Sequence, residues 1–181
     1  MKRIHKFSDS PILTKQLSYP TNSQEIRMIL ESEQDGFCAY SEDRISPTLA
    51  DDIEHFDSSK KDTSDDNYYN WYAVSHKWNQ HKRKNDNKWL EFQPILLPTA
   101  SDFEERVIYD RGDYIPVDEE AKNLIGFLDL NNDDLRTERQ NWINGLKDLF
   151  TEPSELKSFL LSNPIFIRFR RAIEEEFSIS I

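Results

Sequence analysis

The 181-residue sequence predicts an α+β fold in which a small ββα unit sits inside a mainly α-helical single domain. Three observations lead there. Ile53-Glu54-His55-Phe56 is a short β-prone piece carrying an acid–histidine pair. Tyr68 to Val74 is aromatic and β-branched enough for a second strand. From Asp118 onward, apolar residues recur at helical spacing. Residues 1–98 are expected to hold an arm, a helix and the ββα unit, and residues 99–181 a mainly helical tail packed on it.

From Met1 to about Pro20, weak alternation at Ile4, Phe7, Ile12 and Leu13 reads as an extended arm or strand. Ser23 to Glu33 reads as a helix, with Ser23 as cap, Glu25 in the first turn and Ile26, Met28, Ile29 and Leu30 as its apolar positions. Gly36 ends it. Phe37 to Glu42 is a tight knuckle that leads on through Ile45-Ser46-Pro47. Asp57 to Asn67 is nearly devoid of apolar residues and reads as an exposed loop between the two strands. Asn79 to about Asn85 begins the helix of the unit. Pro94 and Pro98 hold the segment between them extended. Phe103 to Tyr114 reads as a hairpin turning at Asp110-Arg111-Gly112-Asp113. Four helical stretches complete the chain: Asp118–Asp129, Asp133 or Asp134 to Phe150, Pro153–Leu161 and Pro164–Phe177.

The formal net charge is −11 and the pI about 4.8, which argues against a generic nucleic-acid coat. The charge is segregated. His76 to Lys84 carries four Lys or Arg and no acid, whereas Asp51 to Asp66 is acid-rich. The acidic excess serves solubility or meets a basic partner surface. A single cysteine, Cys38, rules out a disulfide within the chain and suggests a reducing compartment. No apolar run is long enough for a membrane span, and the basic Met1–Lys6 stretch lacks an apolar signal core, so a cytoplasmic protein is expected.

The residue types around the ββα unit suit phosphodiester hydrolysis. His55 can act as the base, since a neutral imidazole is the side chain best matched to neutral pH. Asn70 can hold its other ring nitrogen through the side-chain carbonyl. Glu54 and Asn79 are hard oxygen donors for one Mg²⁺ or Mn²⁺ beside His55. Lys82, Arg83 and Lys84 would meet the nucleic-acid backbone. Each residue also has a plainer reading. Asn79 can cap the helix, the basic run can be a solvated face, and Tyr68, Tyr69, Trp71 and Tyr72 read as core packing. His81 is a reserve candidate. Arg168, Arg170 and Arg171 are expected to pair with Glu174, Glu175 and Glu176 at helical spacing.

The order of these pieces over roughly residues 15–150 resembles the HNH endonucleases of Septu-type anti-phage systems and of retron-associated operons. Cys38-Ala39-Tyr40-Ser41-Glu42 falls on that family's Cys-x-Tyr-Cys-Glu knuckle and Ile53-Glu54-His55-Phe56 on its Ile-Glu-His-Phe strand. Asn70 falls on the strand asparagine, and Ser75 to Lys82 on a Cys-x-x-Cys-Asn-x-x-Lys helix start. Gly112 to Pro116, then Ala121 to Leu130-Asn131, Leu135 and Arg139, resemble its helical tail. The resemblance implies a ββα-metal core, nucleic-acid cleavage with DNA the default substrate and RNA the alternative, and an ABC/SMC-like ATPase partner. It extends to assemblies with a retron reverse transcriptase or msDNA. Only Cys38 remains of the four thiolates that hold zinc in that family; Ser41, Ser75 and Trp78 occupy the other positions, so structural zinc is expected to be absent. Trp78 would fill the space against Phe37, Tyr40 or Tyr72. The competing readings are an HNH-fold binding subunit without catalysis and an acidic adaptor of other ancestry.

Overall fold

A computed structural model of the chain describes residues 1–45 and 51–181. Ser46 and Pro47, the expected exit from the knuckle, lie outside the described residues. The fold is mixed α and β, with two small antiparallel sheets among eight α-helices in the described residues.

The N-terminal stretch, expected as an extended arm or a strand, forms no strand: it is coil around a short helix α1 (Pro11–Thr14), started by Ser10, whose hydroxyl accepts from the Ile12 amide. Two prolines and scattered polar residues leave the arm no continuous run with which to pair. Helix α2 (Ser23–Glu33) has the expected bounds, but the cap residue is Asn22. It buries Ile26 and Leu30, and the chain then turns at Gly36 with φ +73. The knuckle is closed by Cys38 N–H on Asp43 O at 2.8 Å and Glu42 N–H on Cys38 O at 3.0 Å.

Strand β1 (Asp51–His55) pairs antiparallel with β2 (Trp71–Ser75), and helix α3 (His76–Arg83) follows without a loop and packs back on both strands. Tyr68 to Asn70, expected in the strand, form a 3₁₀ turn before it, because Asn67 caps the Tyr69 amide. Period-two alternation gives the ribbon two dry faces. Trp71 and Ala73 join Ile12, Ile26, Leu30 and Tyr68 under α1 and α2, while Tyr72 and Val74 face the main core. There Trp78 is buried in one cluster with Phe37, Tyr40 and Tyr72.

A 3₁₀ segment (Asp86–Phe92) sets Trp89 and Phe92 edge-on or tilted to Phe127 at 5.1 and 5.5 Å between ring centres. Helix α4 (Phe103–Arg106) leads into the β3 (Val107–Asp110) and β4 (Asp113–Pro116) hairpin, which turns on Arg111-Gly112 as expected. Both turn residues have positive φ, as a tight two-residue hairpin loop requires. Helices α5 (Glu119–Phe127), α6 (Asp133–Leu149), α7 (Pro153–Ser162) and α8 (Arg170–Phe177) complete the chain. The last is shorter than expected, since Pro164–Phe166 forms a separate 3₁₀ turn. One buried cluster runs from Phe37 to Phe177, so the tail shares the core of the ββα unit.

The tail residues singled out in the sequence form one tie. Arg139, almost wholly enclosed, donates to Gly112 O at 2.9 and 2.6 Å and to Leu130 O at 2.9 Å. Asn131 exchanges hydrogen bonds with the Tyr114 backbone at 2.8 Å each way. Of the C-terminal arginines, Arg170 and Arg171 reach Glu174 and Glu175 at 3.6 and 3.5 Å. Arg168 lies before α8 and instead binds Asp43 at 2.7 Å.

Candidate active site

Among the described residues β1 belongs to a two-stranded sheet and pairs with β2 alone. A cleft of about 370 Å³ lies against it, lined by Tyr19, Arg27, Asp52, Glu54, His55 and Arg83 among others. Strand alternation sends neighbouring side chains to opposite faces. His55 therefore lies toward Trp71 and Tyr19, with the Tyr19 ring edge-on at 4.8 Å. Glu54 lies toward α3.

His55 Nε2 lies 3.1 Å from Asp66 Oδ2, and both side chains are nearly enclosed. The contact is one of proximity: the carboxylate stands beside the ring, but Nε2 makes no hydrogen bond to it or to any other described group. Burial lowers the His55 pKa, and Asp66 opposes that shift. Asp66 is itself fixed. Trp71 Nε1 donates to its Oδ1 at 2.6 Å, and Asn70 Nδ2 to the same atom at 3.3 Å.

Asp66 was not among the sequence candidates, because the acid-rich loop around it gives no sign that one of its carboxylates turns inward. The role expected of Asn70 is corrected accordingly. Its carbonyl accepts from the Asp57 amide at 2.9 Å and its amide donates to Asp57 O at 3.1 Å. Asn70 closes the exit of β1 and braces Asp66, which in turn faces the imidazole.

The expected basic run divides. Lys82 is wholly buried and cannot present its charge to a phosphate in this conformation. Its ammonium contacts Glu54 Oε1 at 2.5 Å, Asp86 at 2.8 Å and His55 O at 2.8 Å. A buried ammonium needs such counter-charges. Arg83 and Lys84 are exposed, and Arg83 lines the cleft, as does Lys61 from the loop after β1. Burial pushes the Glu54 carboxyl up to about 7, with Lys82 pulling the other way.

Nor are Glu54, His55 and Asn79 gathered on one point. Each is engaged by a different partner, and Asn79 Nδ2 donates to Asp52 Oδ2 at 2.7 Å. Asn79 Oδ1 is buried without a hydrogen-bond partner among the described residues. At positions where the resemblance implies zinc ligands, the Cys38 thiol accepts from the Ser75 amide at 3.3 Å, and Trp78 packs over His81 with ring centres 4.7 Å apart. Among the described residues no helix is long and apolar enough to cross a membrane.

A scan against protein-family models, a search of curated proteins and a search of solved structures each return no match.

Proposed function

We propose that the chain is a metal-dependent phosphodiesterase of the HNH type, acting on nucleic acid. The observation that carries this reading is the His55–Asp66 pair at the end of β1, opening on a cleft that also holds Glu54, Asp52 and Arg83. The strand–strand–helix order around it supports the same reading. The ATPase partner implied by the family resemblance belongs to this proposal, with DNA as the first substrate and RNA as the second.

The chemistry follows from the geometry. His55 takes a proton from water, and the imidazolium that forms lies beside the Asp66 carboxylate. Arg83 and Lys61 supply positive charge for the substrate's phosphates at the cleft. The Asn79 amide, with its orphaned Oδ1 and with Nδ2 on the Asp52 carboxylate, would offer an oxygen to a divalent cation on turning over, whereas Glu54 is already paired with Lys82. When bound, such a cation neutralises charge on the scissile phosphate.

The test is Mg²⁺- or Mn²⁺-dependent cleavage of plasmid DNA and of total RNA, by the chain alone and with an ATPase partner of the implied class. Loss of cleavage in His55→Ala is expected. Equal cleavage by both forms would refute the assignment. The second reading, a binding subunit on the same fold, is favoured by the Lys82 ammonium seated on Glu54. It predicts nucleic-acid or protein binding with no cleavage by any assembly.

A further inference from the structure

We infer that the divalent cation of this protein is held by Asp52, His76 and Asn79, at the junction of β1 and α3, and not by Glu54. The inference deepens the metal-dependent reading above and rests on it. His76 and Asn79 stand one helical turn apart at the start of α3, so both project toward the same part of β1. They meet on one atom: His76 Nδ1 lies 2.8 Å from Asp52 Oδ2, and Asn79 Nδ2 lies 2.7 Å from it.

The unexplained group at this corner is the other end of the Asn79 amide. The residue is almost fully buried, and its Oδ1 has no hydrogen-bond partner among the described residues. Buried carbonyl oxygens normally find one. Turning the amide by half a rotation would bring Oδ1 against Asp52 Oδ2. Two oxygens that close repel unless a cation lies between them. The observed orientation, with Nδ2 facing the carboxylate, is the one expected without a cation, and it strands Oδ1.

His76 can make the matching change without gaining or losing a proton. As placed, Gln80 Nε2 donates to His76 Nε2 at 2.7 Å, which puts the ring proton on Nδ1 facing Asp52. Rotation of the Gln80 amide presents its carbonyl instead. The ring proton then sits on Nε2, donating to Gln80, and Nδ1 offers its lone pair to the ion. The resulting donors are one carboxylate oxygen, one amide oxygen and one imidazole nitrogen. His76 is exposed and Asp52 partly so, which gives the ion an entry path and room for waters. A mixed oxygen–nitrogen set of this kind prefers Mn²⁺ to Mg²⁺. Glu54 lacks this freedom, because its carboxylate is covered by a wholly buried ammonium.

The experiment is Mn²⁺ titration of the full chain by calorimetry, with electron paramagnetic resonance counting free ion, on wild type and on Asp52→Asn, His76→Ala, Glu54→Gln and His55→Ala. One Mn²⁺ site is expected, tighter than for Mg²⁺. Its affinity should fall by at least about tenfold in Asp52→Asn and His76→Ala and stay within about twofold in Glu54→Gln and His55→Ala. His76 is a surface side chain, so its variant reports on the site without unfolding the core. Weakening by Glu54→Gln with no effect of His76→Ala would overturn the assignment and place the ion at Glu54. Absence of saturable binding would overturn it outright. Because the readout is binding, its failure is separable from failure of the cleavage assay.

Discussion

His55 Nε2 and Asp66 Oδ2 lie 3.1 Å apart, brought together by an acid-rich loop that reads as solvent-exposed from end to end. That approach places a carboxylate beside the imidazole without a hydrogen bond between them.

Replacing Asp66 by Asn therefore removes the group that offsets the desolvation of His55. The His55 pKa should fall further below its ordinary value, since Asp66 now raises it. A histidine NMR titration checks this. Cleavage should drop about 10²-fold or more in His55→Ala, the usual range for losing a general base. An unchanged His55 titration in Asp66→Asn would remove Asp66 from the site.

Lys82 and Glu54 should prove to be an energetic unit. Lys82→Met leaves a buried carboxylate without its ammonium and should destabilise the fold by about 3 kcal/mol, the lower end for a broken buried pair. It sits at that end because Glu54 can take up a proton. The double variant Lys82→Met/Glu54→Gln should recover part of the loss, read as the midpoint of urea unfolding. Additive losses would show that the pair is not coupled.

The same carboxyl predicts a pH dependence. Glutamate ordinarily titrates near 4.5, and Glu54 is pushed up to about 7 in the fold. Folding thus favours its protonated form. Its stabilising contribution is full below about pH 4.5 and is lost as pH rises through about 7. His55 runs the other way: its lowered pKa gives stability above its ordinary 6.5 that is lost as pH falls through the folded value. Glu54→Gln should therefore gain on wild type between about pH 5 and about pH 8. A constant difference across that window would mean that Lys82 keeps Glu54 ionised throughout.

Trp78 contributes buried apolar surface to the main core. Trp78→Ala should cost about 3–5 kcal/mol, as for other large aromatic truncations in a core. Thermal unfolding measures it. A loss under about 1 kcal/mol would show that the cluster around Phe37, Tyr40 and Tyr72 closes without the indole.

Arg83 and Lys82 should separate cleanly despite being adjacent. Arg83→Glu should weaken nucleic-acid binding and flatten its salt dependence while leaving stability nearly unchanged, because Arg83 is exposed at the cleft. Fluorescence anisotropy at two salt concentrations reads both effects. Equal binding by wild type and Arg83→Glu would take the phosphate path away from α3.

The sequence by itself determined the local elements. Apolar spacing and end signals set α2 at Ser23–Glu33, the Arg111-Gly112 turn, and most of the helical tail. It also placed His55 at the end of a strand and a helix after the second strand, though that helix starts at His76 and not at Asn79 as expected. Those features depend on neighbours a few residues away. Tertiary structure decided the partners. Lys82 looks like one more cation in a basic run, and only packing α3 on β1 buries it on Glu54. Asn70 carries the residue type expected of a histidine-orienting group, yet the chain's path gives that position to Asp66. The acid facing Asn79 is Asp52, because antiparallel pairing and the direct β2–α3 connection set which part of β1 the first turn of α3 meets. Charge and hydrogen-bonding capacity are written in residue types, but which groups satisfy each other is fixed by burial, where an unpaired charge is too costly to leave.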